Sequence, residues 1–195
     1  TNVLVGAIDE ITDTSHAILN RLGLYKQGEV ANLSLYKTKT RGTIAGEGAA
    51  FFLLTNEASE TDYAKLDGLH TFYKPNGINE IEKQIQSFLE NQAVSIDDID
   101  LIIAGKNGNA AGDEVYELLA KTVFANRPTI NYKYLCGEYP TAAAFAMWMA
   151  ATILKAGKLP SALIDKTPTE KPIKKILTYN HYLGIHHSLS LLSAC

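Results

Sequence analysis

Residues 133–154 read KYLCGEYPTAAAFAMWMAATIL and contain the most informative helix of the chain. Pro140 stands near its start, where proline is well tolerated, and Gly157 follows as a stop signal. Every residue from 142 to 151 is apolar, so the predicted helix, Pro140 to about Leu154, is hydrophobic nearly all round. Helices of that kind are usually buried on all sides. We therefore predict that this helix lies inside a layered fold.

Strand and helix patterns alternate along the rest of the chain. Strands are predicted at residues 3–8, 31–37, 46–54, 66–73, 99–103, 129–134, 176–182 and 188–192, and the strands at 3–8 and 46–54 are expected to be buried. Further helices are predicted from residue 13 or 14 to 22, at 79–90, and from Asp113 onwards. This alternation of apolar strands with helices indicates an α/β layered fold.

Two of the predicted helices have a clear inward face. The first places Ile81, Ile85, Phe88 and Leu89 on one side at a period of 3.6 residues. The second is expected to turn four residues inward, namely Val115, Leu118, Leu119 and Val123.

Composition excludes several classes of protein. The chain has 195 residues and a net charge of −3, which argues against a nucleic-acid partner. Two cysteines, Cys136 and Cys195, cannot form a disulfide scaffold and favour a reducing, cytoplasmic location. The longest apolar run is far shorter than the roughly 20 residues that span a membrane. The chain opens with Thr1 almost directly into a strand pattern, so we expect a fragment or a processed chain.

The residues that could carry chemistry give weak signals on their own. None of the five histidines has a metal-chelating spacing, so no metal site is predicted. Cys136 precedes the apolar helix, where a thiol can become a nucleophile, but Glu138 beside it would raise the thiol pKa. A small core cysteine is therefore the favoured interpretation. Residues 105–109 match no phosphate-binding loop.

Four segments, in order, resemble motifs of the β-ketoacyl-acyl-carrier-protein synthases of the thiolase superfamily. They are Val3-Leu4-Val5-Gly6-Ala7-Ile8-Asp9-Glu10, Gly46-Glu47-Gly48-Ala49-Ala50, the segment from Lys133 to Ala144, and Asn180-His181-Tyr182-Leu183-Gly184. The Gly-Glu-Gly-Ala segment is the most specific of the four. The chain looks like the C-terminal half or more of such a synthase.

The resemblance implies a partial α-β-α-β-α thiolase-like fold, with mixed sheets flanking the buried apolar helix. Residues 1–60 would then be the end of the N-terminal half, and residues 61–195 the C-terminal half. The family's cysteine nucleophile would fall before Thr1.

The departures from the family pattern fall at the active-site positions. Gly105 and Glu138 stand where the family has its two histidines, whereas the family lysine is retained as Lys133. The acidic residue that normally faces this lysine is replaced by Met147. The resemblance thus makes Lys133, Glu138 and Gly105 the candidate catalytic positions. Candidate substrate-binding residues are Asn107, Cys136, Asn180 and Tyr182.

These replacements oppose decarboxylative condensation. The reaction needs donors to the developing enolate oxygen, and loss of one such donor costs about 10²–10³ in rate. A carboxylate at Glu138 would repel that charge, and Gly105 has no side-chain donor. We expect Glu138 to pair instead with Lys133, since an unpaired buried cation is costly.

Three functions remain open at this point. The chain is a degenerate, chain-length-factor-like subunit of fatty acid or polyketide-type biosynthesis, or a divergent active synthase or acyltransferase, or a non-enzymatic assembly domain. In the first case Phe145, Met147, Trp148 and Met149 would line a tunnel or dimer core, unless they pack inside the domain. The resemblance implies an acyl carrier protein and a second ketosynthase-like chain as partners, in a homodimer or heterodimer. It implies no metal or organic cofactor. Two basic clusters could bind the carrier: Lys37, Lys39 and Arg41, or Lys171, Lys174 and Lys175.

Overall fold

The structure is a computed structural model that describes residues 2–37, 39–160, 163 and 171–195. Its strands are β1 (Asn2–Asp9), β2 (Gly48–Thr55), β3 (Lys65–Tyr73), β4 (Leu101–Ala104), β5 (Thr129–Asn131), β6 (Lys175–Tyr182) and β7 (His186–Ser193). Its helices are α1 (Asp13–Arg21), α2 (Ile78–Asn91), α3 (Ala110–Leu119), α4 (Lys133–Cys136) and α5 (Ala142–Ala156).

Five strands form a mixed sheet in the order β3-β7-β6-β4-β5. Strand β4 runs parallel to both β5 and β6, whereas β7 is antiparallel to β6 and to β3. Because β4 and its two neighbours are parallel, their carboxyl ends meet at one edge, where Ala104 lies beside Asn131 and Tyr179. The loops after these strands therefore converge there.

Helices α2 and α3 cover one face of this sheet. The four predicted residues of α2, from Ile81 to Leu89, are all buried. In α3, however, the buried residues are Asp113, Tyr116 and Leu119, and Leu118 is exposed. The prediction for Leu118 was wrong because the helix begins at Ala110 and turns Asp113 inward, which rotates the face that contacts the core.

Helix α5 covers the other face of the five-stranded sheet and also packs against β2. Six of its residues are buried: Ala142, Ala146, Met149, Ala150, Ile153 and Leu154. Gly157 ends the helix in the left-handed conformation, with φ of 66°. The predicted position of this apolar helix between two sheets is confirmed, although Trp148 remains half exposed.

Strands β1 and β2 form a separate antiparallel pair. One face of this pair is turned toward α5, and the other is apolar and exposed. We call the second the outer face; it consists of Leu4, Ile8, Phe51 and Leu53, each 56–68% exposed. The expectation of buried strands here was therefore wrong, because an apolar run cannot tell whether one or both faces of a strand are covered.

Two further strand predictions were inaccurate. Residues 31–37 contain a 3₁₀ turn, Asn32–Ser34, in which the amides of Ser34 and Leu35 donate to carbonyls three residues earlier. Leu35 is the only residue of this segment that the structure shows buried, among those it describes. The strand expected at 129–134 ends at Asn131, and Lys133 begins α4. In the described residues, no helix is long and apolar enough to cross a membrane.

Candidate functional site

The centre of the site is an ion pair between Lys133 and Glu138, on either side of the turn that follows α4. The Lys133 ammonium lies 2.7 and 2.6 Å from the two Glu138 carboxylate oxygens. The side chains are 1% and 11% exposed, respectively. A buried ammonium needs such a counter-charge. The ion pair expected from the sequence is thus present.

Asn107 is the third member of this polar cluster. Its side-chain amide donates to the second Glu138 oxygen at 2.5 Å. The loop that carries Asn107 is shaped by Asp113 of α3, whose carboxylate accepts from the amides of Asn107 and Gly108, both at 2.9 Å. Burial raises the pKa of Asp113, and these two amide donors partly offset that effect. The Glu138 carboxylate is thereby fixed from two sides.

Two of the resembling motifs touch each other at this point. The Glu138 amide donates to the Ile44 carbonyl at 2.8 Å, and the Gly46 amide donates to the Glu138 carbonyl at 3.1 Å. A Cβ atom on Gly46 would lie only 2.1 Å from the Cys136 carbonyl oxygen. Only glycine fits at 46 without a backbone shift, because another side chain would collide with the segment that presents Glu138.

Gly105, at the end of β4, faces Asn180 of β6. A Cβ atom on Gly105 would lie 2.1 Å from the Asn180 side-chain oxygen and 2.9 Å from the Tyr116 hydroxyl. The Tyr132 hydroxyl, 3.3 Å away, donates to the same Asn180 oxygen. Asn180 therefore occupies the space that any side chain at position 105 would need.

Cys136 lies at the end of α4 as a free, partly buried thiol. Burial raises its pKa to about 11, although the Lys133 ammonium opposes this effect. The thiol is accordingly protonated at neutral pH, which agrees with the interpretation of a small core cysteine and gives no support to a nucleophile.

A cavity of about 450 Å³ opens beside the ion pair. Of the sequence-predicted site residues, Asn107, Glu138 and Tyr182 line it, whereas Lys133, Gly105, Cys136 and Asn180 are not among its lining residues. Its other lining residues are Leu19, Gly23, Leu24, Tyr25, Lys39, Thr40, Arg41, Thr43, Asn109, Ala110, Ala111, Gly112, Tyr139, Pro140, His181 and Leu183. The predicted residues thus fall into a cavity-lining set and a supporting set.

His181 lines this cavity and was not among the predicted site residues. Its Nδ1 accepts from the Gly184 amide at 3.1 Å, and its Nε2 lies 2.9 Å from the Gly112 carbonyl, to which it donates. Burial lowers the pKa of His181 to about 4, so the ring is neutral. The imidazole has no free donor for a substrate oxygen. The sequence did offer one indication of a role for His181, because this residue stands next to Asn180 in the last of the four segments that resemble family motifs.

Asp9 is a second residue that the sequence did not mark as functional. Its carboxylate accepts from the Thr141 amide at 2.8 Å and from the Thr141 hydroxyl. Thr141 is the residue before α5, so the acid at the end of β1 caps this helix from another element. The contact joins the β1–β2 pair to the N-terminus of α5.

The structural comparisons identify the architecture. No protein-family model and no curated protein matches the sequence. The chain is similar to the structure described as "The ishigamide ketosynthase/chain length factor", with a TM-score of 0.77 and 19% identity. The match covers 100% of this chain and 54% of that chain. It is also similar to a ketosynthase (ApeO) in complex with its chain length factor (ApeC) from Xenorhabdus doucetiae, with a TM-score of 0.78 and 18% identity. That match covers 100% of this chain and 53% of that chain.

A third match is the AntDE:AntF complex, a type II PKS acyl-carrier protein with its ketosynthase bound to the hexaketide. Its TM-score is 0.79 at 18% identity, and the match covers 100% of this chain and 56% of that chain. The chain therefore spans about half the length of each of these three solved structures. At these identities the likeness establishes architecture, and it confirms the fold expected from the four motifs. The chain has the thiolase-like fold of ketosynthases and chain length factors.

Proposed function

We propose that this chain acts as a chain-length-factor-like subunit of fatty acid or polyketide-type biosynthesis. In this role it pairs with an active ketosynthase and contributes to the walls of the acyl cavity, without catalysing condensation itself. Two of the matched structures are described as ketosynthases with chain length factors, which supports this assignment.

The observation that carries the proposal is the state of Glu138. At a position where the resembling family has a histidine, the carboxylate is bound by Lys133 and Asn107. An ionised acid there cannot donate a hydrogen bond to an enolate oxygen, and its charge opposes enolate formation. Because removal of one oxyanion donor costs about 10²–10³ in rate, loss of both would abolish useful turnover.

Gly105, at the position of the family's first histidine, supports the same conclusion. Gly105 offers no donor, and Asn180 fills the space above it. His181 is the nearest imidazole in the cavity, but both of its nitrogens are engaged by backbone groups. The polar groups at this site therefore stabilise the fold and are not free to stabilise the negative charge of an enolate.

The partners follow from this role. We propose that the chain forms a dimer with a ketosynthase-like chain and receives an acyl carrier protein in the cytoplasm. Of the two basic clusters, Lys39 and Arg41 border the cavity, whereas Lys174 and Lys175 lie at the start of β6, toward the opposite edge of the sheet. The first cluster is thus the better placed for a carrier that delivers an acyl chain.

The proposal also keeps the expected domain division, in which residues 1–60 end the N-terminal thiolase-like half and residues 61–195 form the C-terminal half.

Reconstitution tests the assignment. The chain, a ketosynthase from the same organism and acyl carrier protein charged with malonyl groups would be assayed together and separately, with intact mass measurement of the carrier. We expect extended acyl chains from the mixture and none from the chain alone. Condensation by the chain alone would contradict the proposal and favour a divergent active synthase. Failure to bind any ketosynthase would favour an assembly domain.

A further inference from the structure

The turn between β6 and β7 forms part of the cavity wall and has a strained backbone. Its central residues, Leu183 and Gly184, have positive φ angles of 54° and 66°. The Ile185 amide closes the turn by donating to the Tyr182 carbonyl at 3.0 Å. Glycine adopts such a backbone readily, whereas leucine is sterically disfavoured there, so further contacts are needed to hold Leu183 in place. Tyr182 and Leu183 both line the cavity.

One imidazole holds this turn from below. The Gly184 amide donates to Nδ1 of His181 at 3.1 Å, so the ring carries its proton on Nε2, which donates to the Gly112 carbonyl of α3 at 2.9 Å. His181 is 3% exposed, and its ring stacks on that of Tyr116 with the centroids 4.8 Å apart. The neutral ring therefore connects the turn to the first part of α3 through one acceptor and one donor.

Protonation of this ring removes the connection to the turn. An imidazolium carries a proton on both nitrogens, so its Nδ1 can no longer accept from the Gly184 amide, and two donors then face each other. The neighbouring strand also disfavours a charge, because His187 of β7 pairs with His181 in register and their ring centroids are 5.5 Å apart. Nδ1 of His187 contacts the Tyr179 hydroxyl at 2.9 Å, and its buried Nε2 has no hydrogen-bond partner among the described residues.

Among the residues that the structure describes, no carboxylate forms an ion pair with either ring. The two acids of the neighbouring site are already engaged, since Asp113 accepts from two backbone amides and Glu138 binds Lys133. Helix α2 contributes apolar side chains to the same cluster. The other titratable groups on the elements around the rings are Tyr116 of α3, Tyr179 and Tyr182 of β6, His186 of β7, and His70 and Tyr73 of β3. A positive charge here is thus uncompensated.

We infer that the turn from Tyr182 to Ile185 is an acid-released latch, which neutral His181 holds closed and protonated His181 sets free. Release exposes the ring to water and moves Tyr182 and Leu183 away from the cavity, whose opening widens. Burial keeps the pKa of His181 at about 4 in the closed turn, below its ordinary 6.5. The latch is therefore fully closed above pH 6.5 and opens as the pH falls toward 4. The inference goes beyond the proposed function and does not depend on a ketosynthase partner.

Amide hydrogen exchange of the full chain, followed by NMR at pH 7 and pH 5, tests this inference. The protection of the Gly184 amide should fall by at least about tenfold, because each pH unit between the two pKa values can change the ratio of closed to open turn by up to about tenfold. The Ile102 amide of β4, which donates to the Pro128 carbonyl at 2.8 Å, reports opening of the whole sheet. It should stay at least about tenfold better protected than Gly184 at both pH values.

Two results of this exchange experiment would overturn the inference. Unchanged protection of Gly184 between pH 7 and pH 5 would show that the turn is not released by acid. Equal protection of Gly184 and Ile102 would show that the turn opens only when the whole chain unfolds.

His181→Gln separates the charge from the hydrogen bonds, because a glutamine amide retains an acceptor and a donor but does not titrate in this range. This variant should lose most of the pH dependence of Gly184 protection. His186→Gln, at an exposed position on the same hairpin, is the matched control and should keep it. Equal pH dependence in His181→Gln and in the unaltered chain would contradict a latch at His181.

Titration of His181 in the unaltered chain keeps the test decisive even if His181→Gln does not fold. The ring proton signals give its protonation, and long-range ¹H–¹⁵N spectra give its tautomer. We expect the Nε2–H tautomer at pH 7 and a loss of Gly184 protection that follows protonation of the ring. An Nδ1–H tautomer at pH 7, or a protonated ring with an unchanged Gly184 amide, would overturn the inference.

Discussion

Helix α5 and the β1–β2 pair are both strongly apolar, but they are covered to very different degrees. The helix lies between the five-stranded sheet and β2, and six of its residues are buried. No element among the described residues covers the outer face of the β1–β2 pair, and its four large side chains are more than half exposed. Burial here is decided by the number of layers around an element, and the apolar character of the element does not reveal that number.

The same contrast separates the ion pairs. Lys133 and Glu138 form a buried pair, whereas the Arg127–Asp97 pair lies at the surface, with Asp97 77% exposed. Glu138→Gln should destabilise the fold by about 3–5 kcal/mol, because it leaves the Lys133 ammonium without its counter-charge. Urea unfolding measures this loss.

The control for that variant is Asp97→Asn, which should cost no more than about 1 kcal/mol, as is usual for exposed pairs. Replacing both partners, in Lys133→Met with Glu138→Gln, should recover part of the lost stability. Equal losses of stability in Glu138→Gln and Asp97→Asn would contradict the claim that burial makes the Lys133–Glu138 pair more important for stability than an exposed pair.

Ile153 and Leu53 test the comparison most simply, since one is 1% and the other 68% exposed. Ile153→Ala should cost about 2–5 kcal/mol, the range for a large-to-small change in a packed core. Leu53→Ala should change stability by no more than about 0.5 kcal/mol. Thermal or urea unfolding of the isolated chain checks both, and a large loss for Leu53→Ala would mean that the outer face is covered in solution.

The contact between Gly105 and Asn180 gives a smaller, more local effect. Gly105→Ala should destabilise by about 1–3 kcal/mol, because the new methyl group meets the Asn180 oxygen. Asn180→Ala in the same chain should relieve that clash, so the two changes together should cost less than their sum. Additive losses in a double-mutant cycle would contradict direct contact at this position.

The pH dependence should reflect two buried imidazoles, His181 of β6 and His187 of β7, because burial lowers the pKa of both. Burial lowers the pKa of His181 to about 4, from an ordinary value of 6.5. Because the folded-state pKa is the lower one, the stabilisation is complete above pH 6.5 and is lost as the pH falls toward 4. His181→Gln should reduce the dependence of urea-derived stability on pH across this window, with the remainder due to His187. His186→Gln, at an exposed position, should preserve the slope.

The sequence predicted most of the elements because their signals are local. Ile81, Ile85, Phe88 and Leu89 show a helical period, and Gly157 marks a helix end, so both helices were placed correctly. The rotation of α3 was missed because it depends on Asp113, whose carboxylate binds a loop that precedes the helix. The exposure of the outer face of the β1–β2 pair was missed because the sequence of a strand does not show whether another layer covers it.

The site was predicted in the same uneven way. The pairing of Lys133 with Glu138 followed from charge, since a buried cation needs a partner. The obstruction of Gly105 by Asn180 could not be predicted, because these residues are 75 positions apart in sequence and meet only through the parallel pairing of β4 with β6. The roles assigned to Asn107, Cys136 and Tyr182 in substrate binding remain predictions.

The claim at the centre of this account is that Glu138 and Gly105 leave the site without donors for an enolate. Release of CO₂ from malonyl-charged carrier protein by the chain alone tests it most directly, because decarboxylation is the step that forms the enolate. We expect a rate no higher than that of the charged carrier without the chain. Release of CO₂ by the chain well above that background would show that the site can stabilise an enolate, and the absence of donors at Glu138 and Gly105 would then be refuted.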